Sequence, residues 1–194
     1  MYNYSAKFYV EGFKMKKFFL LSSLFVALTL PVLATPYQLD AANSKVGFTI
    51  KKKAGLVTVN GEFKTFAGEI DYDSATKTLK VFNGEVDVDS VDTKEQKRDN
   101  ELRSPDVFDV LKFPKMSFKM AYYQAGKIYG DLTIKDVTKH IVLNVQEKLN
   151  GDMLEISAST TIKRSDFGLE WGVFKNVLVS DDVVINLNLK ANAQ

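Results

Sequence analysis

The sequence predicts an all-β chain of about eight or nine antiparallel strands that either pack as two sheets or close on themselves. Apolar residues recur at every second position through most of the chain. Glycine, asparagine and aspartate mark short turns between these runs. No stretch offers the long crossover helices that a parallel sheet needs.

Each element follows from that pattern. Val46, Phe48 and Ile50 alternate with polar residues, as do Val57, Val59, Gly61 and Phe63, then Phe66, Gly68, Ile70 and Tyr72. A turn is expected at Asp73, Ser74, Ala75 and Thr76. Residues 79–91 read as one strand with a bulge near Asn83 and Gly84, where the apolar phase shifts. Residues 92–100 are charged and rich in helix formers, with Asp92 or Thr93 as cap and Asp99 and Arg103 spaced to pair. Ser104 and Pro105 suit the start of a second short helix carrying Val107 and Phe108. This segment is expected across one end of a barrel. Met116, Phe118, Met120 and Tyr122 alternate again, and Ile128, Gly130, Leu132 and Ile134 follow a turn at Gly126. Ile141, Leu143 and Val145 lead to the hairpin signal Asn150-Gly151. Leu154, Ile156, Ala158, Thr160 and Ile162 return, and Val183, Ile185, Leu187 and Leu189 form the last strand.

The first 34 residues stand apart as an upstream extension and a secretory signal peptide, leaving 35–194 as one domain. Met15, Lys16 and Lys17 are a basic start, residues 18–33 an apolar run, and Ala34 a small residue at the cleavage point. A membrane anchor is the weaker reading, because the run is short for a bilayer and Pro31 interrupts its end. Cleavage removes four of 26 basic and one of 24 acidic residues, so the formal charge moves from +2 to −1. A near-neutral domain carries no electrostatic footprint for nucleic acid. The chain contains no cysteine, so no disulfide holds it and no cysteine can take a lipid anchor. The expected location is the periplasm or outside the cell, without a stable membrane anchor.

Few residues could carry chemistry. The single histidine, His140, falls on the polar face of its strand, and cysteine is absent. Cys/His catalysis and the usual zinc sets are thereby excluded. Asp87, Asp89 and Asp92 lack the glycine and terminal glutamate of a calcium loop. No phosphate-binding or dinucleotide fingerprint occurs, and adjacent Asp181 and Asp182 point to opposite strand faces. The carboxylates of residues 92–109 are expected in water. No metal, no cofactor and no enzymatic activity is expected. What stands out is apolar: nine phenylalanines lie after residue 34, and Gly61, Gly68 and Gly130 fall on the apolar phase. Such glycines bend a barrel wall or leave room beside it. From the residues alone, a filled and a hollow barrel stand level.

Seven pieces in order carry a resemblance. They are Tyr37-x-Leu39-Asp40-x-x-x-Ser44-x-Val46-x-Phe48, then Val59-x-Gly61-x-Phe63, then Ser90-Val91-x-Thr93. Arg98-Asp99-x-x-Leu102-x-Ser104-x-x-x-Phe108 and Phe113-Pro114-x-Met116-x-Phe118 follow. Gly130-x-Leu132-Thr133-Ile134-x-x-Val137-Thr138-Lys139 and Lys163-Arg164-Ser165-Asp166-Phe167-Gly168 complete the set. The chain resembles the YceI-like family of polyisoprenoid-binding proteins from about Tyr37 to Leu189. Asp136 departs from the family's common glycine, and residues 171–177 do not align.

The resemblance implies an antiparallel, eight-stranded, lipocalin-like barrel with a helical segment between strands. It also implies a long amphiphile inside: a polyisoprenoid, a quinone-type lipid, or a fatty amide or acid, carried or stored. Phe48, Phe63, Phe66, Phe118 and Met120 are expected to line the interior, with Phe108, Phe113 and Phe167 near an opening. Arg98 and Arg164 are candidates for a polar head group, or else pair with Asp99 and Asp166 to lock the mouth. About 20 buried methylenes at ~0.8 kcal/mol each give roughly 16 kcal/mol before association costs of about 4–15 kcal/mol. A long tail therefore binds usefully with little help from its head. The alternative is a structural or interaction module with a filled barrel. A homodimer is compatible with either.

Overall fold

The computed structural model describes residues 34–52, 57–170 and 178–194. The signal-peptide segment and the stretch at 171–177 lie outside the described residues. Strands β1 (Thr35–Leu39), β2 (Lys45–Lys52), β3 (Val57–Phe63), β4 (Phe66–Asp73), β5 (Thr78–Asp87) and β6 (Val91–Asp92) come first. Helix α1 (Gln96–Arg103) follows, then β7 (Lys115–Gln124), β8 (Lys127–Ile134), β9 (Val137–Asn150), β10 (Met153–Lys163) and β11 (Val179–Ala193).

Eight strands close a ring in the order β1-β4-β5-β7-β8-β9-β10-β11, with β11 returning to β1. The long β11 also carries β2 along its N-terminal part, and β2 leads on to β3 and β6. β1 and β2 both run antiparallel to β11 at successive registers, Leu39 opposite Ala191 and Lys45 opposite Asn188. They are one strand position with a break. The pairs β3/β4 and β5/β6 are broken likewise, so three neighbouring positions of the eight are interrupted.

The breaks are stitched by side chains. Asp40 accepts from the Asn43 amide (3.2 Å), closing a 3-10 turn over Ala41–Asn43. The Ser44 hydroxyl donates to Asp40 O (2.6 Å) and accepts from the Lys190 amide (2.8 Å), tying this break to β11. Ser90 does the same for the other two: its hydroxyl donates to Asp87 O (2.6 Å) and accepts from Thr65 N (3.0 Å). These bonds satisfy backbone groups that lose their ladder partners where a strand bends. They give Ser44 and Ser90, two members of the recognised pattern, a structural reason.

The interior divides in two. At the end formed by the tight turns, Ile128, Leu154, Ile156 and Ala191 are almost wholly buried with Tyr37, Tyr72 and Phe82. At the other end, Val88, Val91, Leu102, Val107, Phe108, Phe167 and Leu169 pack beneath α1 and the loops that follow it.

Several expectations need correction. The strand expected over 79–91 ends at Asp87, and Val88–Ser90 is a 3-10 turn. Its register shifts where Asp71 faces Val81 and Tyr72 faces Leu79, so the irregularity sits at Lys80, not at Asn83 and Gly84. That extra residue lets both Leu79 and Phe82 face inward. A second shift, at Ala121, turns Tyr122 out to solvent, where it stacks on Tyr129 at 4.4 Å. No second helix forms at Ser104. Its hydroxyl and amide both bond Glu101 O (2.7 and 3.1 Å), making it the C-cap of α1, and residues 105–108 form turns. The cap of α1 is Glu95, not Asp92 or Thr93.

Candidate ligand-binding site

A cavity of about 570 Å³ lies inside the barrel, within the range of small-molecule sites. The barrel is therefore not filled. Its inner wall is almost entirely apolar, with Ile70, Phe82, Leu143 and Leu189 shared with the closed-end core. Val46, Phe48, Ile141, Val183, Ile185 and Leu187 face inward yet are only partly buried, because the space beside them is empty. Polar lining comes from Asn83, Glu85 and Ser117 on β5 and β7, from Lys52 at the end of β2, from Arg164, and from groups in and just before α1.

Phenylalanine rings shape the wall. Phe48, Phe63 and Phe108 form a chain with centroids 5.9 and 6.4 Å apart. The Phe48 ring lies over Gly61 and the Phe118 ring over Gly130: a Cβ at either glycine would come within 2.5 Å of ring carbons. These two glycines do not leave an empty recess, as the sequence allowed; each makes room for an aromatic ring that becomes the wall. Gly68 borders the cavity directly.

Of the residues expected at the site, Phe48, Phe63, Phe66, Phe108, Phe118, Arg98 and Arg164 line the cavity. Three do not. Met120 packs against the closed-end core. Phe167 is buried to 1 % exposure in the other cluster. Phe113 lies on the outside, where the ammonium groups of Lys112 and Lys135 stand 4.9 and 5.7 Å from its ring. Unforeseen contributors include Val107, Leu132, Ile134 and Leu169. The inward phase of β8 made Leu132 and Ile134 recognisable as interior residues, but not as neighbours of a void.

The two arginines are braces. Arg98 donates from Nε to the Thr93 hydroxyl, from Nη2 to Thr93 O and from Nη1 to Glu95, each at 2.7 Å. Thr93 in turn donates from its hydroxyl (2.5 Å) and its amide (2.9 Å) to Asp99. Asp99 is thus buried and joined to Arg98 through Thr93. It is neither in water nor paired with Arg103, which holds Asp89 and the Val91 carbonyl. Arg164 is 5 % exposed and donates to Leu169 O (2.8 Å) and Ser180 O (3.2 Å) instead of to Asp166. Nearby, Asp181 is drawn against its burial, which raises its pKa; the Ser165 hydroxyl and amide outweigh that and hold it below the ordinary range. His140 is exposed and meets Asp131 at 3.0 Å across β8 and β9, away from the cavity.

A closed antiparallel barrel with an apolar chamber and a helical cover defines a class of small-ligand-binding barrels, and solved structures share the fold. Burkholderia cenocepacia BcnA is 28% identical, with a TM-score of 0.71 over 80% of this chain and all of its own. A Campylobacter jejuni YceI protein is 33% identical, with a TM-score of 0.64 over 72% of this chain and 87% of its own. A polyisoprenoid-binding domain from Saccharophagus degradans, at 21% identity and a TM-score of 0.64, shares the fold over 84% of this chain and 100% of its own. A UPF0312 protein of Staphylococcus epidermidis is 30% identical over 166 residues, 82% of this chain and 95% of that protein. The YceI-like domain family matches residues 37–191, and the chain belongs to that family.

Proposed function

We propose that the protein holds one long-chain amphiphile, its tail in the chamber and its head at the end covered by α1. The observation that carries this is the half-buried state of Val46, Phe48, Val183, Ile185 and Leu187 around an empty apolar volume. A tail there removes apolar surface from water without displacing any packed side chain. The Saccharophagus domain, described as polyisoprenoid-binding, supports a polyisoprenoid as one candidate among such lipids. The chain acts as a carrier or store, and it does no chemistry on what it holds. A carboxylate base needs a partly desolvated pocket near the reacting bond, whereas the lining carboxylates Glu85 and Glu95 are exposed and ion-paired with Lys115 and Arg98.

Native mass spectrometry with organic extraction of gently purified protein is the test. One lipid per chain is expected. An empty protein that takes up no polyprenyl, quinone or fatty amide would overturn the reading. The same lipids should be recovered unaltered after incubation. Export is part of the proposal: N-terminal sequencing of the exported protein should begin at Thr35, the first residue of β1.

A further inference from the structure

Leu111 is the most exposed large apolar side chain described, at 96 %. Its exposure is built in. Lys112 N and Phe113 N both bond Asp109 O (2.9 and 2.8 Å), Val110 N bonds Arg103 O (3.2 Å), and Asp109 N bonds Ser104 O (2.9 Å). A turn with four backbone bonds around it presents the leucine at a fixed place, at the expense of leaving it in water.

Its surroundings point to one kind of partner. Phe113, two residues on, is half-exposed between the ammonium groups of Lys112 and Lys135, at 4.9 and 5.7 Å. Neither lysine is ion-paired with a described carboxylate, whereas Lys115 beside them is paired with Glu85 at 3.2 Å. An apolar tip flanked by aromatic and cationic groups matches the boundary between lipid tails and phosphate head groups. The same loop lines the chamber with Val107 and Phe108, and Ile134, next to Lys135, lines it too. Leu178 (59 % exposed) and Val57 (48 %) add apolar surface at this end of the barrel.

We infer that Leu111 and Phe113 dock the protein on an anionic lipid bilayer, with Lys112 and Lys135 at the phosphates, so that the covered end of the chamber meets the membrane from which a lipid is drawn. This rests on the lipid-holding function proposed above.

Flotation with vesicles of three parts phosphatidylcholine to one part phosphatidylglycerol tests it, using wild type, Leu111→Ser and the double variant Lys112→Glu with Lys135→Glu. Leu111→Ser should lower vesicle binding and the rate of lipid extraction from vesicles at least about ten-fold, the low end of the worth of one buried leucine. The lysine variant should lose binding to these vesicles, because the reversed charge is repelled by the anionic surface, and wild-type binding should fall as salt rises. Melting temperature and uptake of a fluorescent fatty amide without vesicles should stay at wild-type levels, because Leu111 is outside the chamber. Equal flotation and extraction by Leu111→Ser, or a wild type that ignores vesicles, overturns the docking. So does a shift of wild type from dimer to monomer on making Leu111→Ser, since the leucine then seats a second copy. If no variant takes up amphiphile in vesicle-free buffer, the lipid-holding function fails while flotation still reports the docking.

Discussion

Replacing Gly61 with alanine should close part of the chamber from within. A Cβ built there stands 2.3, 2.5 and 3.0 Å from three carbons of the Phe48 ring. The obstacle is the far end of a side chain, and on its other side is empty volume. The ring therefore swings off the wall into the space a lipid tail would use. If it displaces about three methylenes at ~0.8 kcal/mol each, affinity falls by ~2.4 kcal/mol, roughly fifty-fold. The fold loses little, because the cavity absorbs the ring: about 1 kcal/mol, or ~2–4 °C in melting temperature. Gly130→Ala is the contrast. There the Cβ also comes 2.5 Å from the Lys119 carbonyl oxygen, so β7 and β8 must spread, at about 1–3 kcal/mol. Titration with a fluorescent long-chain amphiphile and thermal melts read both effects. Adding Phe48→Ala to Gly61→Ala should restore most of the binding, a coupling visible in a double-mutant cycle. Wild-type affinity in Gly61→Ala, or no rescue by the second change, would refute the assignment of Phe48 as a movable wall.

Phe118→Glu should abolish amphiphile uptake, since it puts an unpaired carboxylate against Phe82 and the chamber; wild-type binding in a folded variant would remove Phe118 from the lining. Arg98→Ala should lower the melting temperature and weaken neutral and anionic amphiphiles alike, because Arg98 holds Thr93 and Glu95; a loss confined to anionic ligands would make it a head-group contact. Asp73 is held below the ordinary aspartate range by the Thr76 hydroxyl first, then by the Thr76 and Ala75 amides. Its ionised form therefore stabilises the β4–β5 turn fully at neutral pH, and that contribution disappears as acid takes the pH down through its folded-state pKa. The stability gap between wild type and Asp73→Asn, followed by denaturant melts, should be constant near pH 7 and shrink below about pH 4. A gap that widens in acid would contradict it.

The strands themselves were legible because side chains of a half-buried strand must alternate, and nine of the eleven announce that alternation. β1 and β6 did not: five residues in one case and two in the other are too few to show a period. Bulges at Lys80 and Ala121 were invisible or misplaced because each is set by the partner strand's register, which no local pattern encodes. The pairings of Arg98, Asp99, Arg103 and Arg164 were misjudged for a related reason. Helical spacing favours Asp99 with Arg103, but the folded chain brings the Thr93 hydroxyl to Asp99 and two carbonyls to Arg164.

By itself the sequence determined the all-β class, the antiparallel order of its hairpins, the inward faces of β8, β10 and β11, and, through seven spaced motifs, the family. Only the tertiary structure decided that three strand positions break where Ser44 and Ser90 stitch them, and that the barrel keeps a chamber of about 570 Å³. It also decided that Phe48 and Phe118 are walls while Met120, Phe113 and Phe167 are not. Alternation specifies which side of a sheet a residue takes. Whether that side meets another side chain or empty space depends on the circumference of the closed ring and on rings folding over distant glycines, and those are sums over residues far apart in the chain.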